Sequence, residues 1–300
     1  MRRSFLLALW TMSLTFLAAA GSSPLPAADG PRNVIVFFEF VDDTNGVKGA
    51  LEIIFNKMLG PGDQLIIQSP ARVYGFSQAT LAKPKAELIA LMSDKLRGDI
   101  TQAGQNYQQV IKDLETAVRN LEGFILPTDV PSDGSPETRD LTELFNYYRQ
   151  GLANLTQLRK INDASIRQLT GAFRGQKGEN HVIVLLEREL RPVPRREALN
   201  ILADMPKYAF NANELFLTGN TKEPFPVAAL AEYFKQVPLT LHFIYITSKN
   251  TSTSGSVIEN SGDVYSAFSK LAEATGGIRQ TSSEPAGGLE FVLKAWKEAK

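Results

Sequence analysis

The sequence predicts an α/β fold: a doubly wound, mostly parallel sheet with helices on both faces, one antiparallel edge strand and an inserted long α-helical hairpin. Three observations predict it. Asn33 to Phe40 (NVIVFFEF) and His181 to Leu186 (HVIVLL) are apolar on successive residues, the pattern of strands covered by helices on both faces. Strand patterns alternate with helical ones along the chain, as crossover connections require. Both apolar runs stop abruptly at charge, the first at Glu39, Asp42 and Asp43, the second at Glu187, Arg188 and Glu189. Ligands of open α/β sheets bind just beyond the carboxyl ends of the strands, so the charge marks where function is expected.

The elements follow in order. Arg2 and Arg3 precede an apolar run from Phe5 to Ala20 that ends in Ala18-x-Ala20, the form of a secretory signal peptide over residues 1–20. The run is short for a membrane span and is broken by Thr11, Ser13 and Thr15; an uncleaved anchor is the competing reading, and the only route to a membrane. Residues 21–31 are a loose segment and 32–300 the folded domain. After the first strand, Val47, Leu51, Ile54, Phe55 and Met58 lie at helical spacing, and Gly60-Pro61-Gly62 ends that helix. Gln64 to Ser69 and Arg72 to Phe76 read as two short strands around a tight turn at Pro70, which puts an antiparallel strand at one edge. Pro84 to Leu96 is a helix.

From Ile100 to Phe124, apolar residues recur in steps of three and four, a heptad-like seam. Residues 127–136 form a Pro, Asp and Ser linker, and Leu141, Leu144, Tyr148, Leu152, Leu155 and Leu158 give a second stripe. Two long helices joined by a loop pack as an antiparallel hairpin, which fills residues 99–162 as an insertion. The stripes serve mutual packing or, alternatively, a partner. Ala164 to Phe173, Arg195 to Met205 and Val227 to Lys235 are helical, and Leu239 to Thr247 is a strand. A Ser/Thr-rich loop runs from Ser248 to Ser261. Asp263 is the expected N-cap of a helix that Gly276-Gly277 ends, before a short strand at Ile278 to Thr281 and a closing helix from Gly288 to Ala299.

Composition excludes several functions. Lys and Arg number 32, as do Asp and Glu, so zero net charge gives no electrostatic case for nucleic acid or an anionic membrane surface. The absence of Cys removes disulfides, a lipid-anchoring cysteine, a thiol nucleophile and thiolate zinc. No Gly-x-Ser-x-Gly elbow and no phosphate-cradling P-loop occurs. His181 and His242, the two histidines, both fall in strands and read as satisfied core or edge residues. Arg191 to Arg196 is a small basic cluster, read as a solvated helix entry.

Residues 31–39, 61–67, 176–186 and 271–277 together resemble a von Willebrand factor type A (VWA) domain, and more narrowly the bacterial exported proteins called VWFA-related. The resemblance spans roughly residues 31–298 and leaves the hairpin unexplained. It implies a metal-ion-dependent adhesion site at the strand ends, with Mg²⁺ or Ca²⁺ held by oxygen ligands and a partner carboxylate completing the shell. In one register Glu39, Val41 and Asp43 occupy the family's Asp-x-Ser-x-Ser places; in the other, Asp42, Thr44 and Gly46 do. Val41 has no ligating side-chain oxygen, and Arg188 stands near the place of the family's later Asp, beside Glu187 and Glu189. Three readings stay open: a metal site on Glu39, Asp42, Asp43, Thr44 and Glu187; a metal-free site in which Arg188 pairs with Glu39 or Asp43; and a plain solvated loop.

The expected function is an exported binding module, periplasmic or secreted, with no catalytic role. It engages a protein or cell-surface ligand at the strand-end face, through Asp42, Asp43, Arg188 and Glu189. The alternative is an envelope scaffold acting through the hairpin; the third is a metal-assisted hydrolase.

Overall fold

The structure, a computed structural model, describes residues 30–41, 44–126, 141–158, 163–217, 226–247 and 256–298. The signal segment, Asp42 and Asp43 lie outside the described residues.

Strand β1 (Arg32–Glu39) is apolar on both faces and is buried from Asn33 to Phe38. It lies between β2 (Gln64–Gln68) and β4 (Glu179–Glu187), parallel to both. β3 (Val73–Phe76) pairs antiparallel with β2 at one edge and is followed by the short helix α2 (Gln78–Leu81). β6 (Thr240–Ile246) and β8 (Arg279–Ser282) continue the sheet in parallel beyond β4, giving the order β3-β2-β1-β4-β6-β8. The order reverses between β1 and β4, so the crevice of a doubly wound sheet opens there, at Glu39 opposite Leu186.

Alternate strand residues feed two cores. Val34, Val36, Phe38, Leu65 and Ile67 pack on one face with α1 (Val47–Ile53, extended by a π-helical turn Ile54–Met58), the first part of α3 (Lys85–Ile125) and α10 (Pro285–Glu298). Ile35, Phe37, Val182, Val184 and Phe243 pack on the other with α5 (Asp163–Thr170), α8 (Val227–Gln236) and α9 (Gly262–Ala274). Gly277 ends the α9 connection where no side chain fits: a Cβ there would stand 1.8 Å from the Leu241 carbonyl oxygen.

The hairpin differs from the expectation in one respect. The helix expected over Pro84 to Leu96 and the seam from Ile100 are one helix of 41 residues, since only Gly98 stands at the junction and an isolated glycine does not break a helix. Its first turns belong to the sheet core. Its later residues, Tyr107 to Ile125, pack antiparallel on α4 (Leu141–Leu158) and form a third core with the short helices α6 (Arg196–Ala203) and α7 (Ala209–Ala212). The hairpin is therefore continuous with the sheet, not appended to it.

Two further elements depart from the expectation. Leu190–Val193 (β5) and Ser256–Glu259 (β7) pair antiparallel as a separate two-stranded ribbon. Ser256 to Glu259 is thus strand, while 248–255 lies outside the described residues. Arg191, expected in solvent, is 2% exposed, because the hairpin covers this ribbon. At α9 the cap position is Ser261, and Asp263 sits in the first turn. Among the described residues, no helix is long and apolar enough to cross a membrane.

Candidate functional site

The two acidic tips lie side by side. β1 ends at Glu39, and the chain continues through buried Phe40 to Val41, whose backbone N–H donates to Glu187 Oε2 at 2.8 Å. Glu187 is buried and spends this oxygen on holding the β1–α1 turn. Arg188 carries the ladder one step further, its N–H donating to the Ile246 carbonyl at 2.9 Å. Its positive charge acts on the Tyr245 hydroxyl, on the β6 side of the tip. Among the described residues it makes no ion pair with Glu39, so that pairing is corrected; the alternative partner, Asp43, lies outside them.

Glu189 is fixed from the ribbon. Its N–H donates to Ser261 Oγ at 3.2 Å, its carbonyl accepts from Asn260 N–H at 2.8 Å, and its Oε2 accepts from Asn260 Nδ2 at 3.2 Å. Ser261 Oγ also meets the Tyr245 hydroxyl at 2.7 Å, and that hydroxyl donates to Glu259 Oε1 at 2.7 Å. Burial drives the Tyr245 hydroxyl pKa upward.

Glu39 and Glu189 line one cleft of about 80 Å³, with Val41, Leu186 and Val264 on the sheet side and Ala103, Asn106, Tyr107 and Leu158 from the hairpin. That space holds a few water molecules or one small group. Enclosure by protein atoms pushes the Glu39 carboxyl up to about 7, and the Glu189 charge adds to the rise. Glu39 retains some accessible surface, and this opens into the cleft. No hydrogen bond or ion pair engages its carboxyl among the described residues.

The hairpin roofs this region through two tyrosines. The Tyr107 hydroxyl donates to the Leu190 carbonyl at 3.3 Å, and the Tyr148 hydroxyl donates to the Pro192 carbonyl at 2.7 Å. Arg191 Nη1 donates to Tyr148 Oη at 2.8 Å and to the Leu215 carbonyl at 3.0 Å. Burial raises the Tyr148 hydroxyl to about 12 despite the guanidinium beside it. Sequence reasoning took both tyrosines for members of an apolar stripe. Their hydroxyls were the available signal, because a buried Tyr needs a polar partner.

Of the expected metal ligands, Glu39 and Glu187 stand at the tips and Thr44 opens α1, where its carbonyl accepts from Val47 N–H. Among the described residues, no three His, Asp or Glu side chains converge to hold a metal ion. A hard divalent ion takes six or more oxygens, a set that Glu39 and Glu187, engaged as described, do not supply by themselves. A second pocket of about 260 Å³ lies at the opposite end of β1 and β2, against Phe76 and Phe173, far in sequence from these tips.

No family model matches the chain, and no curated protein matches it. Three solved chains match; one is described as the crystal structure of conserved hypothetical protein BatB from Bacteroides thetaiotaomicron, with 10% identity over 90% of this chain and 98% of that one, at a TM-score of 0.35. A likeness this distant fixes neither the fold nor the activity of this chain.

Proposed function

We propose that the protein is an exported VWA-like binding module, periplasmic or secreted, that engages a protein or cell-surface ligand at its strand-end face. The observation that carries this reading is the cleft at the switch point. There Glu39, whose carboxyl has no partner among the described residues, lines one cleft with an anchored carboxyl, Glu189, at the position where open α/β sheets bind ligands. The order and spacing of the four VWA-resembling segments support the family, and the signal-like residues 1–20 support export. Engagement involves no chemical step in this reading, and metal takes part only if Asp42 and Asp43 complete a ligand set.

One observation favours the hairpin as a second contact surface. Phe124, Tyr147 and Phe210, on α3, α4 and α7, are 55%, 45% and 76% exposed around the third core. Single exposed aromatics are ordinary, so this reading stands second.

The test uses surface changes, because removing residues 99–162 would cut α3 between two cores. Arg188→Glu is expected to abolish cross-linked capture of envelope partners, whereas Phe124→Ser with Tyr147→Ser leaves capture intact. The reverse result assigns function to the hairpin. Export is checked by the mass of the released chain, expected to begin near residue 21.

A further inference from the structure

The strand-end cleft has a composition that selects a ligand class. Its lining holds two carboxyls, Glu39 and Glu189, together with Val41, Leu158, Leu186 and Val264 and, from the hairpin, Asn106 and Tyr107. We propose that this cleft takes the primary ammonium group of a partner's lysine side chain, the aliphatic stem lying on the apolar walls and the charge between Glu39 and Glu189. The proposal rests on the strand-end face being the contact surface.

Two independent features point to a cation. The first is Glu39 itself, enclosed by protein, with no donor on its carboxyl among the described residues and its remaining surface in the cleft. Buried carboxylates are ordinarily satisfied, and one left unmatched beside a like charge is costly until a cation arrives. The second is the shape and lining of the space. A lysine carries a compact charge on four methylenes, which suits a small, mostly apolar cleft that also carries acid, and an aromatic ring in the lining adds to the attraction. A partner carboxylate would be repelled.

Neighbouring charges leave the assignment standing. Glu187 directs Oε2 to Val41 N–H, the Arg188 charge acts on the Tyr245 hydroxyl, and Glu259 is bound by that hydroxyl. Glu189 already accepts from Asn260, which fixes its position while leaving it on the cleft lining.

The experiment is calorimetric titration of the purified protein with n-butylammonium chloride at pH 6.5, in two buffers of different ionisation enthalpy. The expected result is saturable binding with proton release, since the cation favours ionised Glu39. Glu39→Gln and Glu189→Gln should each weaken it roughly tenfold or more. The neutral isostere n-butanol should not saturate. Glu39→Gln is the deciding variant, because among the described residues that carboxyl holds nothing else in place, and an unchanged thermal midpoint confirms its fold. Failure of n-butylammonium to saturate, equal binding of n-butanol, undiminished binding by Glu39→Gln, or displacement by Mg²⁺ through the same two residues each overturns the proposal. If Arg188→Glu abolishes partner capture while n-butylammonium does not bind, the strand-end face stands and lysine recognition falls. If capture is indifferent to Arg188→Glu, the face itself falls.

Discussion

The two ends of the central sheet handle buried polar groups in opposite ways. At the amino-terminal end of β1, Asp63 is 3% exposed and its carboxylate accepts four hydrogen bonds, from the Arg32 N–H, Nε and Nη2 and the Gly60 N–H. Close by, His242 Nδ1 accepts from the Ile278 N–H at 3.2 Å, and its Nε2 lies 3.3 Å from His181 Nδ1. His181 Nε2 lies 3.3 Å from Glu179 Oε2. The Trp296 indole N–H also donates to His242 Nε2 at 3.2 Å, so both ring nitrogens of His242 are engaged. The Arg32 guanidinium stacks 4.7 Å from the Trp296 ring and closes the cluster beneath α10. At the carboxyl-terminal end, the Glu39 carboxyl is largely enclosed and has no partner among the described residues. A satisfied network fixes structure; an unsatisfied group at the switch point is what a ligand can use.

The sharpest way to break this contrast is at the satisfied end. Asp63→Ala removes the acceptor for Arg32 and Gly60 together, and breaking a buried pair costs about 3–5 kcal/mol. Urea denaturation should show that loss, while ligand capture by the remaining folded protein stays unchanged. The hairpin dock comes next. Tyr148→Phe leaves the Pro192 carbonyl without its donor and takes one acceptor from buried Arg191, an expected loss of about 2–3 kcal/mol. Limited proteolysis should then cut α4 before the sheet, since the lost bonds join the hairpin to β5.

Much of this was legible in the residues. The double-faced apolar runs at Asn33 to Phe38 and His181 to Leu186 marked β1 and β4 as interior strands, because such runs need helices on both sides. The edge strand followed from the short spacing around Pro70. The β5–β7 ribbon was hidden: Leu-Arg-Pro-Val has no strand pattern of its own, and its pairing is made by residues more than sixty positions away. The Glu39–Glu189 juxtaposition was hidden for a related reason. In the sequence Glu187 and Glu189 flank Arg188, but Glu187 turns to Val41 and the cleft takes its second acid from another strand. Long-range register, not local pattern, decides both.

Acidity sharpens the contrast, since the two ends respond with opposite sign. Desolvation holds His242 down to about 3 and lowers His181, so the unfolded chain binds more protons between about 3 and 6.5. That contribution is present above pH 6.5 and is lost as pH falls, by about 2 kcal/mol at pH 5 for His242 alone. His242→Gln should flatten this part of the acid limb when urea midpoints are compared with the parent across pH 4 to 7.

Glu39 gives the smallest effect and the opposite slope. Its carboxyl is raised from 4.5 to about 7, so its contribution is full below 4.5 and is lost as pH rises through 7. Glu39→Gln should therefore match the parent's urea midpoint at pH 5 and exceed it at pH 8.5, where the parent carries an unrelieved charge. The gain is modest, because solvent reaches the carboxyl through the cleft and screens part of the penalty. Saturating n-butylammonium should erase the difference by stabilising the parent alone. A variant less stable than the parent at pH 8.5 would mean that Glu39 already has a partner, and the asymmetry between the two ends of the sheet would be gone.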